Sequence, residues 1–328
     1  MSAALAFLDQ LTLGQPQVVH NLSLYPLLAE GPAEAGYRIL DEALASGCAR
    51  ITEISEGGSV PELRFKNDCE LPVLLLDGEE LVGAKQNRIL NLTLLVGAHQ
   101  EVVIPVSCVE AGRWSARSEA FSSSDRALYS SGRARKMADV SFSMAWEGER
   151  RSDQHAVWED IAEKSERMRA PSPTGAAAAL YETHRERLEH YLTGLNPIER
   201  QCGALFAIGD GVVGLDLFDS PEPLRKLLPK LVRSYALDAI DLGGEGGAAK
   251  EETVLGFLHS VKQAHAQRFP ALGLGEDVRL NSADITGAAL EVGDRLIHLC
   301  AFRRQSQSHS GSHEGRMARA SERRRRFE

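Results

Sequence analysis

Residues 71–114 read LPVLLLDGEELVGAKQNRILNLTLLVGAHQEVVIPVSCVEAGRW, and how they are parsed decides the fold. The run 73–76 meets Asp77-Gly78 and continues as EELVG. Asp-Gly between strand-like segments predicts a hairpin, because the tight turn needs positive φ angles that these residues tolerate. Residues 88–96 alternate, with Leu90, Leu92, Leu94 and Val96 on one face and Ile89, Asn91, Thr93 and Leu95 on the other. Residues 102–109 are apolar on both parities, as in a strand covered on both sides.

Upstream, strands are expected at 50–54 and 62–67, separated by the turn signals Glu56-Gly57-Gly58 and Asn67-Asp68. A short helix over 41–46 closes at Gly47. The run Val18 to Leu27, interrupted by Pro16 and Pro26, reads as an edge strand. The first third, 1–115, is therefore a mostly antiparallel β sandwich or barrel.

Residues 115–150 change character. SARSEAFSSSDRALYSSGRARK is rich in Ser and Arg with little periodicity, which predicts a mobile loop over 116–150 or a surface segment ordered by a ligand. Helical spacing returns after Ser152 and Asp153, either of which can cap the helix carrying Val157, Ile161 and Met168. Thr174 caps a longer helix to about Leu195. CGALFAIGDGVVGLDLF predicts a second hairpin, and Ser220-Pro221 opens a helix in which Pro229 predicts a kink. A Gly-rich link (243–249), another helix and a closing strand pair near 288–290 and 295–302 follow. The expected architecture is a single α+β domain over 1–302, in which helices and a smaller strand–helix layer follow the β-rich part.

The chain's net charge of −9 conceals an asymmetry. Residues 303–328 hold eight Arg against three Glu, a net of +5, so the other 302 residues carry −14. The acidic body argues against broad nucleic-acid binding, which needs a basic surface, so any nucleic-acid contact is expected only through the basic tail. The polar, Ser-rich tail cannot bury enough apolar surface to order itself and is expected to be disordered. No apolar run approaches the roughly 18–20 residues of a membrane helix, and no N-terminal leader pattern is evident, so the expected location is cytoplasmic. The five cysteines are scattered without a CxxC pair and read as buried free thiols.

The chemistry-bearing residues cluster at the ends of the 71–114 runs. Asp77, Glu79 and Glu80 are either oxygen ligands for a hard cation or a solvated hairpin tip. No HExxH, CxxC or calcium-loop pattern supports a metal elsewhere. In GAKQNR, Lys85 and Arg88 supply donors for phosphate or carboxylate, while Gln86 and Asn87 can bond a polar group in both directions. Arg88 shares parity with Leu90 and Leu92, so it starts on a core-facing side and needs a partner there. That partner is an anionic ligand, or else Glu110 or Glu80. Cys108 shares parity with Glu110, but no neighbouring His is available to activate a thiol nucleophile. Trp114 either stacks on a base or sugar or caps the sheet.

LDGEELVGAKQNR followed by VVIPVSCVEAGRW resembles the ARPP family, the ARG- and rhodanese-phosphatase-associated protein domains. Weaker echoes occur at SPTGA (172–176), in the strand at Gly203 and around Asp216, so the resemblance spans most of 10–302. It implies a role near ADP-ribose or NAD-derived metabolites, by association only. The expected function is binding, and as an enzyme processing, of a phosphorylated nucleotide-like molecule. Lys85, Arg88 and Arg113 would hold anionic groups, Gln86 and Asn87 would orient the ligand, and Trp114 would lie against it. Glu80 or Glu110 would be the acid or base. No cofactor is specified, and neither oligomeric state nor a membrane partner is indicated. The rival is a non-catalytic interaction or sensor module that engages an acidic partner through the 115–150 loop and the basic tail.

Overall fold

The three runs within 71–114 do form strands, but they belong to two different sheets. The computed structural model describes residues 2–30, 34–55, 59–115, 118–244 and 246–304. The turn at Glu56-Gly57-Gly58, the centre of the Gly-rich link and the tail beyond residue 304 lie outside those residues. The chain opens with α1 (Ala3–Leu8), β1 (Thr12–Leu13), β2 (Gln17–Val19), β3 (Leu22–Leu28) and β4 (Arg38–Ile39). After α2 (Leu40–Ala45) come β5 (Ala49–Glu53), β6 (Glu62–Asn67), β7 (Val73–Leu75), β8 (Glu79–Gly83), β9 (Arg88–Leu90), β10 (Leu94–Val96), β11 (Gln100–Cys108) and β12 (Ala120–Ala127). Four helices follow: α3 (Ser130–Trp146), α4 (Gln154–Arg167), α5 (Ala178–Thr183) and α6 (Arg185–Gly194). The hairpin β13 (Gln201–Ile208) and β14 (Gly211–Phe218) leads to α7 (Pro221–Leu242) and α8 (Glu251–Gln263). A meander of β15 (His265–Pro270), β16 (Glu276–Asn281), β17 (Ile285–Val292) and β18 (Arg295–Arg303) ends the described chain.

The architecture is α+β. Six strands close a barrel in the order β11-β6-β5-β12-β8-β9. A three-stranded sheet, β10-β7-β4, sits beside it, and its β4–β7 pair is parallel. The third sheet has nine strands and is antiparallel, in the order β1-β3-β13-β14-β18-β17-β16-β15 with β2 also on β3. Alternation fills the barrel: β6 runs exposed–buried along its length, and Leu63 and Phe65 meet Ile51, Leu81, Leu90, Ile104, Val106 and Phe121 inside. Fully burying each such side chain is worth about 1.5–3 kcal/mol. On the large sheet, Phe206 and Phe218 pack against α7 through Leu224, Leu231 and Tyr235. Leu205, Leu215 and Leu217 pack on the other face with Val254, Phe257 and Val261 of α8. Among the described residues no helix is long and apolar enough to cross a membrane.

Several expectations are corrected. Asp77-Gly78 does make a tight turn, closed by Glu79 N–H donating to Leu76 C=O at 3.1 Å, with Gly78 at φ +78°. It is a corner rather than a hairpin, because β7 pairs with β10 while β8 pairs with β9 and β12. A Cβ at Gly78 would also stand 2.8 Å from Arg133 Cγ. The run 88–96 breaks into β9 and β10 for the same reason. β3 is not an edge strand, since β1 and β2 flank it on one side and β13 on the other. Pro26 fits there because its carbonyl accepts from Gly14 N–H at 2.8 Å, and its missing N–H faces the gap between the two short strands. The helix expected from Thr174 to Leu195 is two helices divided at His184.

Residues 115–150 differ most from expectation, forming barrel strand β12 and the 17-residue helix α3 in place of a mobile loop. The physical reason is that their inward-facing groups are polar. Ser123 and Ser124 donate to Glu79 Oε1 (2.9 Å) and Glu80 Oε2 (3.1 Å), and Arg133 and Lys136 of α3 point into the molecule. Apolar periodicity cannot register a helix whose buried side is charged. The cysteines are likewise not all free: Cys48 and Cys69 form a disulfide with Cα atoms 4.9 Å apart, whereas Cys108, Cys202 and Cys300 are buried thiols. The β5–β6 ladder, in which Ala49 faces Asn67, brings the two distant cysteines together.

Candidate functional site

One mouth of the barrel is built from the C-terminal ends of β5, β8 and β11 and the N-terminal ends of β6, β9 and β12. The 84–87 connection crosses it. Gly83 at φ +138° lets this connection lie against β12, where a Cβ would come within 2.8 Å of Ala120 C=O. Glu110 and Arg113 then lock it. The Glu110 carboxylate accepts from Arg113 Nε (2.8 Å), Asn87 N–H (3.2 Å) and Thr174 Oγ1 (3.0 Å), and Arg113 Nη2 lies 2.6 Å away. Arg113 also donates to Ala84 C=O (2.8 Å), Ser115 C=O (3.0 Å) and Asn87 Oδ1 (3.0 Å). Burial would raise the Glu110 pKa, but bonds from Arg113, Asn87 and Thr174 outweigh it and hold the carboxyl below its ordinary value. Gln86 continues the scaffold, donating to Glu110 C=O (3.1 Å) and accepting from Arg88 Nη1 (2.9 Å).

Arg88 is placed differently. It is fully buried, pairs with neither Glu110 nor Glu80, and its Nε and Nη2 have no hydrogen-bond partner among the described residues. Burial lowers its pKa, with the neighbouring Cys108 and Glu53 opposing that effect. Cys108 faces Arg88 across the β9–β11 ladder. Burial raises the Cys108 pKa, despite the Glu110 N–H and Arg88, so the sulfur is a thiol at neutral pH and no nucleophile. Glu53, at the end of β5, was not among the residues expected at a site, yet both its carboxylate oxygens are buried without a partner among the described residues. Its only signal in the sequence is parity, since it shares a face with Ile51 and Ala49. Trp114 is 49% exposed, with Lys85 Nζ 5.3 Å and Arg88 Cζ 5.8 Å from its ring.

Glu80 stands one layer behind, bonded to Arg126 Nε (2.6 Å), Ser124 Oγ (3.1 Å) and Asn87 Nδ2 (3.3 Å). Burial raises its pKa even against those partners. The acidic run beside the turn is neither a solvated tip nor a converging ligand set. Asp77, Glu79 and Glu80 are all buried and point to separate cations, Lys136 with Arg133, Lys230, and Arg126 respectively.

A second buried charged centre joins the barrel to the large sheet. Asp216 of β14 takes Arg133 through both nitrogens (Nη1 at 3.1 Å, Nη2 at 2.6 Å), Tyr235 OH at 2.9 Å and His298 Nε2 at 3.3 Å. The other ring nitrogen of His298 lies 2.9 Å from Thr93 Oγ1. Burial would raise the Asp216 pKa, but Arg133 and His298 depress it far below the usual carboxylate range. Asp216, His298 and Cys300 bring one ligand atom each within 4.8 Å of one another. A divalent cation fits poorly, because Arg133 already occupies the carboxylate and burial keeps Cys300 protonated. The sequence signal was present: Asp216 and His298 each interrupt an apolar strand.

A family model described as the ARG and Rhodanese-Phosphatase-superfamily-associated Protein domain, ARPP-1, matches residues 10–302. No curated protein and no solved structure matches the chain.

Proposed function

The chain belongs to the ARPP-1 family, and we propose that it binds a small, phosphorylated, nucleotide-like molecule at the barrel mouth, with ADP-ribose as the representative probe. The observation that carries this reading is Arg88, a fully buried guanidinium with two nitrogens lacking a hydrogen-bond partner among the described residues. Buried donors left without an acceptor are costly, and a ligand that accepts from them recovers that cost on binding. Trp114 and Lys85 stand beside it as an aromatic platform and a second cation. Gln86, Asn87, Glu110 and Arg113 hold the connection that carries these groups, so their role is positioning. Glu80 is the carboxylate we assign to any proton transfer, because its proton affinity is raised and Asn87 links it to the mouth.

Calorimetric titration with ADP-ribose, with and without magnesium, tests the reading. Saturable binding is expected. Arg88→Ala should weaken it by about 10–100-fold, as for loss of charge-assisted hydrogen bonds of roughly 1.5–3 kcal/mol, with an unchanged circular dichroism spectrum. No heat and no thermal stabilisation, or full binding by a folded Arg88→Ala, rejects it. A second reading, an interaction module, no longer has a loop at 115–150 to act through, but α3 exposes Phe142 and Trp146, 62% and 77% accessible, as a paired aromatic surface.

A further inference from the structure

Two opposite sets of unmet hydrogen-bonding groups share the barrel mouth. Arg88 offers two donors, Nε and Nη2, and Glu53 offers two acceptors, Oε1 and Oε2, all buried and all without a partner among the described residues. Both side chains enter the barrel at this end, Glu53 on the same face of β5 as Ile51 and Arg88 on the same face of β9 as Leu90, and among the described residues no hydrogen bond or ion pair joins them. Leaving four such atoms unsatisfied is unusual, since buried polar side-chain atoms are nearly always bonded. Something that fits between them must accept on one side and donate on the other.

We propose that Glu53 and Arg88 form a two-sided recognition pair for the edge of a neutral, planar amide-bearing group, either a carboxamide or the amide edge of a nucleobase. Such an edge carries N–H donors for Glu53 beside carbonyl or ring-nitrogen acceptors for Arg88. A bare phosphate would satisfy Arg88 but bring a second anion against Glu53, and a simple cation would do the reverse. The guanidinium and carboxylate already cancel, so a neutral edge enters without adding an uncompensated charge. The exposed face of Trp114 supplies a stacking surface at the same mouth. This rests on the reading of the mouth as a ligand site and narrows it: the recognised part is the base or amide, while any phosphates lie outward towards Lys85.

Four probes are titrated into the full chain and into Glu53→Gln: nicotinamide, guanosine, glycine and inorganic phosphate. Nicotinamide or guanosine should bind the unaltered protein, and Glu53→Gln should weaken that binding by about tenfold or more while the protein stays folded. If Glu53→Gln does not fold, Glu53→Asp, which draws the carboxylate back by one methylene, should give the same loss. Phosphate that binds, and binds more tightly once Glu53 is neutral, would overturn the proposal while leaving an anion site at the mouth. Binding of glycine without either amide probe would also overturn it, since the pair would then select a zwitterion. If none of the four binds but ADP-ribose does, the amide edge is not what is recognised. If ADP-ribose fails too, both readings fall and the pair is bridged by solvent.

Discussion

Asp216 and Asp139 show how position sets the sign of a carboxylate's contribution. Arg133, gripping Asp216 through both nitrogens, depresses the carboxyl pKa in the folded state. A depressed folded value stabilises above the unfolded pKa of about 3.9 and is lost as pH falls through the folded value, so this contribution is complete at neutral pH. Asp216→Asn leaves the buried Arg133 only its longer contact to Asp77, which Lys136 shares, and should cost about 3 kcal/mol, read by urea denaturation at pH 7. Asp139 lines a cavity of about 170 Å³ between α3 and α4, where burial and the nearby Asp153 charge push its pKa up to about 6. A raised folded value works the other way: stability is full below about pH 4 and declines as pH rises through about 6. Asp139→Asn should therefore raise stability at pH 7.5 by about 1–2 kcal/mol and leave it nearly unchanged at pH 4, the partial exposure of the carboxyl limiting the gain. Equal effects at both pH values would contradict the assignment.

At the scale of elements, what the sequence disclosed follows from what local patterns encode. β6, the β13–β14 hairpin and the Asp153-capped α4 were legible because alternation, a Gly-Asp-Gly turn and an N-cap are local. Asp77-Gly78 specified a turn correctly, but partner choice across sheets is not written in the turn itself. α3 was hidden because Arg133 and Lys136 face inward, and β12 because serines take the places that apolar side chains would mark. The site was legible in part. Arg88 could be placed inward by parity, whereas Glu53 enters the mouth only through closure of the barrel on β5 by β12, which begins 67 residues later at Ala120. The Cys48–Cys69 bond was invisible for a similar reason, since it depends on the β5–β6 register. It closes a loop of 21 residues' separation, and its reduction should destabilise the protein by about 3 kcal/mol. Thermal unfolding with and without a phosphine reductant measures this, with Cys48→Ser as the matching variant.

At the scale of the whole molecule, the buried ion pairs act as rivets between layers. Arg133 of α3 touches Asp77 beside the barrel and Asp216 in the large sheet. Lys230 of α7 reaches Glu79 in the barrel and Asp41 of α2. Lys164 of α4 holds Asp238 and Asp241 of α7. Each cation sits on an apolar seam, so separating the layers breaks its ion pairs and exposes the hydrophobic surface packed around them together. The barrel and the nine-stranded sheet should therefore unfold together, giving one calorimetric transition whose van't Hoff and calorimetric enthalpies agree. Two resolved transitions would divide residues 2–304 into separate folding units.

The pairing of β3 with β13 also has a consequence for how the protein is made. Between Leu28 and Ile208 lie roughly 180 residues, which a ribosome adds in about 10–40 s at typical elongation rates. Throughout that interval the apolar segment Leu22–Leu28 has left the ribosome without the strand that will cover its long side. The nascent chain thus carries a sticky seven-residue template for most of its synthesis. Slow, chaperone-attended maturation, and aggregation when production outruns that attendance, are the expected marks of this topology in the cell.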